Sequence, residues 1–248
     1  MVSARAAYLW CLYGALDGLA SRGGAIHRPA VAFILAIDGP AGAGKSTVSK
    51  RVADRLGFVL VDTGAIYRSA ALLAMRKGLE EERAIASAVL AADIWLDGSM
   101  VMLDGEDISS QIRTPEVSRH ASVVSALPAV RAALLDRQRI EARRQPSGAV
   151  VEGRDIGTVV FPDADAKIFL TASLEARAER RTAELEKKGM RPSHADVMAE
   201  ISIRDARDSE RAVAPLKAAA DARRVDTTGK SIDQVVEEIA SYVASKRL

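Results

Sequence analysis

The octapeptide Gly39-Pro40-Ala41-Gly42-Ala43-Gly44-Lys45-Ser46 matches the pattern G-x-x-x-x-G-K-[ST] in full and constrains the fold more than any other part of the chain. Before it, Val31 to Ile37 is an apolar run that reads as a strand buried on both faces, as at the centre of a parallel sheet. After it, Val48, Val52 and Leu56 share one helical stripe that Gly57 ends. Strand, glycine turn and helix together make a phosphate cradle, in which small residues let backbone N–H groups approach the anion and the helix start adds its positive dipole end. Lys45 is expected to neutralise charge between the β- and γ-phosphates of ATP, the Ser46 hydroxyl to ligate Mg²⁺, and Thr47 to complete the phosphate-binding stretch. Asp38 would either join the magnesium shell or brace the loop. A dinucleotide-binding turn fits less well, since G-x-G-x-x-G is absent and Lys45 would be unexplained.

The pattern continues as α/β. Phe58 to Val61 reads as a second strand, and Asp62 and Thr63 open a helix from about Ala65 to Lys77, stopped by Gly78. Further buried strands are expected at Ala149 to Glu152, Ala166 to Thr171 and Arg223 to Asp226, with a last helix from Ser231. Thr228-Gly229-Lys230-Ser231 only echoes the phosphate motif, because Arg224 stands where its first glycine should be; it reads as a helix cap. Two stretches interrupt the alternation. Residues 79–147 hold a helix, a small hairpin around Asp97-Gly98-Ser99 and two helices divided near Pro128; residues 174–211 are rich in Arg and Glu with a break from Gly189 to Pro192. The expected organisation is a parallel-sheet P-loop core of residues 31–78, 148–173 and 212–248, an acceptor-binding insert of 79–147 and a mobile lid of 174–211. Residues 1–30 would form a poorly ordered extension.

Composition excludes several classes. With 248 residues and a net charge of +2 there is one substantial core and no basic field for nucleic acid. The lone cysteine, Cys11, rules out a disulfide framework, and His27, His120 and His194 lack metal-ligand spacing, so a reducing cytoplasm is the expected compartment. Ala6 to Leu19 is mildly apolar but interrupted by Gly14 and Asp17, and too short to span a membrane. No Asn-Lys-x-Asp segment reads guanine, and the strand Val150-Val151-Glu152-Gly153-Arg154-Asp155 places an arginine inside an acidic cluster, as suits an anionic acceptor beside a metal. Arg204, Arg207 and Arg211 fall on one helical face; with Arg177, Arg180 and Arg181 they suggest a charge clamp, although a solvated face with Asp208 pairing Arg204 would show the same spacing.

Four segments carry a resemblance. IDGPAGAGKST at Ile37 to Thr47, VDTGAIYR at Val61 to Arg68, EGRDIGTVVFPDADAKIFLTAS at Glu152 to Ser173 and RDARDSERAVAPL at Arg204 to Leu216 closely resemble the bacterial cytidylate kinase family, in its order, from about Phe33 to Val243. The resemblance implies an adenylate-kinase-like fold working as a cytoplasmic monomer, without membrane or nucleic-acid partners, on the small molecules ATP and CMP or dCMP. It places Thr63 and Arg68 at the monophosphate, Ser122, Arg131, Asp155 and Arg211 at the cytosine nucleotide, and Arg204 and Asp208 near the sugar. Lys45, Arg154, Arg181 and Arg207 would act on the transferring phosphoryl group. The competing readings are a kinase for UMP, AMP or a pantetheine-type acceptor, and a non-catalytic nucleotide sensor.

Overall fold

The computed structural model describes residues 32–98, 100–187 and 189–247. The expected N-terminal extension, with Cys11 and His27, lies outside them.

The first strand, β1 (Ile34–Asp38), is buried at every position and divides its side chains by alternation. Ile34 and Ala36 enter one core, while Leu35 and Ile37 enter the other, which explains the unbroken apolar run. The strands β2 (Val59–Asp62), β6 (Ala149–Gly153), β7 (Ala166–Thr171) and β8 (Arg223–Asp226) join it in the order β2-β6-β1-β7-β8. Every pairing is parallel, with Ile37 opposite both Glu152 and Ile168. From β1 the chain moves to β2 on one side, and later to β7 and β8 on the other. The carboxyl end of β1 is therefore a topological switch point, where the diverging connections leave a crevice for a ligand.

Helix α1 (Lys45–Leu56) follows the glycine turn and packs Val48 and Val52 into the second core, beside Val235, Ile239 and Val243 of the last helix, α8 (Ile232–Lys246). Ser231 caps α8, exchanging hydrogen bonds with Gln234. Helix α2 (Thr63–Lys77) lies on the other face and is capped by the Asp62 carboxylate, which accepts from the Ala65 N–H at 3.0 Å.

Between α2 and β6 come α3 (Glu82–Ala91), the strands β3 (Ile94–Asp97), β4 (Met100–Leu103) and β5 (Glu106–Asp107), then α4 (Pro115–Val124) and α5 (Pro128–Arg143). The antiparallel hairpin thus gains a third short strand that the spacing did not predict. These elements share the first core through Ile94, Leu103, Val117 and Leu134. Helices α6 (Leu174–Lys187) and α7 (His194–Glu210) instead pack on a small cluster of their own, Ala178, Leu185, Val197 and Ile201.

Candidate active site

A cleft of about 1140 Å³ opens at the carboxyl ends of the strands, floored by the glycine turn and walled by α2, α4, α6 and α7. Gly39 is required at the floor for a reason the motif does not reveal: a Cβ there would sit 2.3 Å from the carbonyl oxygen of Leu170 on β7. Gly42 and Gly44 adopt positive φ of 74° and 86°, and Gly44 caps α1.

Lys45 is buried, and its ammonium donates to the carbonyl oxygens of Gly39 and Pro40, each at 2.7 Å. Burial, reinforced by nearby Arg154, holds this lysine well below its ordinary pKa. The neighbouring Ser46 hydroxyl donates to Oε1 of Glu152 at 2.7 Å, while Glu152 Oε2 is buried without a hydrogen-bond partner among the described residues. Burial, with the Asp62 charge, raises the Glu152 carboxyl. Glu152, read from the sequence only as part of an acidic cluster beside a metal, had no contact assigned to it. Its signal was its place at the end of the strand next to β1, which puts it opposite Ile37.

Asp38 does not face the cleft. Its two oxygens accept from the Ile156 and Gly157 N–H groups, each at 2.8 Å, and so brace the segment that follows Asp155. That brace fixes the wide turn Ile156–Val160 directly after Asp155. Burial pushes the Asp38 carboxyl up to about 6, against the pull of these two N–H groups.

At the other end of the cleft Asp155 is clasped by two arginines, Arg131 through Oδ2 and Arg211 through Oδ1, the latter at 3.2 Å. The Arg131 guanidinium also lies over the Tyr67 ring, 5.5 Å from its centroid. Burial raises Asp155 despite both partners, and it lowers Arg211, with Arg131 adding to that effect. Ser122 Oγ accepts from Arg207 at 2.8 Å, Thr63 donates to the Glu152 carbonyl oxygen at 2.7 Å, and Arg68 pairs with Asp62 at 2.7 Å.

Asp208 pairs not with Arg204 but with Arg154, across the cleft at 2.8 Å. Burial pushes Asp208 up, but Arg154 and the other nearby arginines outweigh it and leave the carboxyl below its usual range. Among the described residues Arg204 is thereby left with an unpartnered buried Nε, and burial, with Arg154 beside it, lowers its pKa to about 10. Arg207 and Arg211 also line the cleft, each bonded to a partner from another segment. Arg207 bonds Ser122 of α4, and Arg211 lies just past the end of α7, where it bonds the Ala214 carbonyl.

The three arginines of α6 separate as well. Arg180 and Arg181 line the cleft, Arg180 donating to the Thr227 carbonyl at 2.6 Å and Arg181 pairing with Glu184 at 3.2 Å. Arg177 is buried beneath the turn, where it donates to the Ala41 carbonyl, and it does not line the cleft.

A parallel sheet, a glycine turn at its switch point and a lysine and hydroxyl at the following helix start define the P-loop class of nucleotide-binding proteins. The family model for cytidylate kinase matches residues 35–245. Curated relatives agree. The chain is 48% identical over 211 residues to the cytidylate kinase of Bordetella bronchiseptica, covering 84% of this chain and 94% of that one. It is 49% identical over 217 residues to that of Desulfitobacterium hafniense, covering 86% and 93%. It is likewise 49% identical over 217 residues to that of Methylococcus capsulatus, covering 86% and 97%. The chain belongs to the cytidylate kinase family.

Proposed function

We propose that this protein transfers the γ-phosphoryl group of ATP to CMP or dCMP, giving ADP and CDP or dCDP. The observation that carries the reading is the buried clasp of Asp155 between Arg131 and Arg211, at the far end of the same cleft whose floor holds Lys45. Cytosine presents an amino donor at N4 and acceptors at N3 and O2, so a carboxylate flanked by guanidinium and hydroxyl groups can read its edge. Uracil swaps donor and acceptor at N3 and position 4 and would leave buried polar groups unpaired, at about 1 to 3 kcal/mol each. UMP and AMP are poorer acceptors on this account.

In the reaction a phosphate oxygen of CMP attacks the γ-phosphorus in line. The bond to the β,γ-bridging oxygen breaks, and ADP leaves with its electron pair. The attacking oxygen is already anionic, so no strong base is needed, and the protein contributes position and charge. Lys45 passes from its two carbonyls to the phosphates, and the Nε of Arg204, buried without a partner among the described residues, leaves a donor for the acceptor's sugar. Arg154 stands with them and Arg181 closes from α6, while Arg207 orients the acceptor side through Ser122. Thr63 and Arg68 serve the acceptor phosphate, and Asp208 and Arg204 the sugar.

Among the described residues no group of three or more His, Cys, Asp or Glu side chains could hold a metal by itself. The Ser46 hydroxyl and the partnerless Glu152 Oε2 nevertheless form a hard-oxygen pair that fits Mg²⁺ held jointly with a triphosphate. When bound, that ion would neutralise charge on the phosphate oxygens.

We further propose that residues 79–147 act as the acceptor-binding insert and 174–211 as the lid. Ser122 and Arg131 reach the Asp155 end from the first stretch, and the second rests on its own cluster. The protein would act in the cytoplasm as a monomer on small molecules alone. Among the described residues no helix is long and apolar enough to cross a membrane.

ADP release measured over a panel of CMP, dCMP, UMP and AMP tests the reading. The expected result is turnover with the cytidine nucleotides and at least about tenfold less with UMP, the discrimination set by one or more unpaired groups. Lys45→Ala should lower the rate by about 10³-fold or more while leaving the fold intact, on the scale of charge-clamp losses in phosphoryl transfer. Equal use of all four nucleotides, or normal turnover by the variant, overturns it.

A further inference from the structure

The arm α6–α7 carries Arg204, Asp208 and Arg181 into the cleft, yet its own apolar cluster is small and separate from the two sheet cores. Something must set where these groups sit relative to the glycine turn, and one side chain reaches all the parts involved. Arg177 lies in the first turn of α6, only 7% exposed. Its Nη1 donates to the carbonyl oxygen of Ala41 in the glycine turn at 3.1 Å and also to Oδ2 of Asp205 on α7. Its Nε donates to the Ala172 carbonyl at 3.2 Å, at the end of the β7 connection. The backbone is in contact at the same place, since a Cβ on Gly42 would meet Arg177 Cβ at 3.0 Å.

Asp205 is adjacent to Arg204 and three residues before Asp208, but unlike them it does not line the cleft, and neither does Arg177. The pair therefore touches neither nucleotide. We propose that Arg177 and Asp205 are a positioning pair for phosphoryl transfer: Arg177 fixes the turn to the root of the arm, and its bond to Asp205 sets the register of Arg204 and Asp208 over the cleft. The inference rests on the proposed reaction. Removing Asp205 leaves Arg177 its two carbonyl acceptors, so the turn keeps its shape and only the register of α7 is released.

The test uses the full-length chain and compares Asp205→Ala, Arg177→Lys and the double variant with wild type. Asp205→Ala should lower kcat by about 10- to 100-fold, the penalty for roughly 1 Å of misplacement, with KM for ATP and CMP changed less than about threefold. ATP hydrolysis without CMP should rise relative to transfer, because a misregistered arm excludes water less well. Arg177→Lys keeps the charge but cannot satisfy three acceptors at once; its kcat loss should not add to that of Asp205→Ala in the double variant. A purely structural ion pair would lower Tm and leave both kcat and the hydrolysis-to-transfer ratio of the folded enzyme unchanged, and that result overturns the proposal. Amide hydrogen exchange provides a readout independent of the acceptor. ATP should protect α1 in both proteins, but α7 in wild type only. If that difference holds while wild type fails to phosphorylate CMP, the acceptor reading falls and the positioning pair stands; equal protection of α7 in both proteins sinks the pair.

Discussion

The floor of the cleft and the arm above it hold their polar groups by opposite means. The floor is mostly backbone, fixed between two sheet cores, with Asp38 tying it to the turn after Asp155 and Gly39 pressed against β7. The arm is mostly long side chains on two helices that share four buried apolar residues. A site needs both kinds of support: the triphosphate must meet a surface that does not move, and the reacting groups must be enclosed by one that does.

The largest expected effect breaks the rigid side. Gly39→Ala brings a methyl to 2.3 Å from a backbone oxygen that cannot yield, so soluble folded protein should be lost or its Tm should fall sharply. By contrast a Cβ at Gly189, in the connection between α6 and α7, meets nothing within 4 Å and strains only its positive φ of 78°. Gly189→Ala should cost no more than about 1 to 2 kcal/mol in chemical denaturation. Comparable losses from both would erase the contrast.

Next in size is a core comparison. Ile37→Ala, at the sheet centre, should lower global stability by about 2 to 5 kcal/mol. Ile201→Ala should instead remove hydrogen-exchange protection from α6 and α7 while shifting the global midpoint much less, because that cluster opens locally.

The smallest effect concerns pH. Asp38 titrates from 3.8 in the unfolded chain to about 6 when folded, so the folded state binds the extra proton between these values. Its contribution to stability is complete below about pH 3.8 and is lost as pH rises through about 6. Activity should run the other way, since only the ionised carboxylate accepts both N–H groups: kcat for CMP should fall below about pH 6, and Asp38→Asn should lower the plateau and remove that limb. An unchanged limb in the variant assigns it to another group.

The same contrast decides how much of the molecule was legible in the sequence. Strand β1, the glycine turn and the capped helices announce themselves because local chemistry dictates them: alternation, missing Cβ atoms and the exchanged bonds of Ser231 with Gln234. The placement of each arginine did not. Helical spacing puts Arg204, Arg207 and Arg211 on one face, but their partners arrive from distant segments. Arg154 takes Asp208 away from Arg204, Ser122 takes Arg207, and Arg211 turns back to Asp155 from beyond the helix. The partner of Glu152 was hidden for a related reason, since only the pairing of β6 with β1 brings it under Ser46. Long-range pairing is invisible to periodicity.

The tether of Lys45 to the carbonyls of Gly39 and Pro40 bears on turnover as well as on recognition. An incoming triphosphate must draw the ammonium off two good acceptors, so part of its attraction is cancelled on arrival and the donor is held less tightly than bare charge would dictate. Once the terminal group has left, the diphosphate competes less well for the same ammonium, which swings back to its own loop. The resting bonds of the lysine thus favour departure of the spent nucleotide, and an enzyme lacking them would bind its donor more tightly.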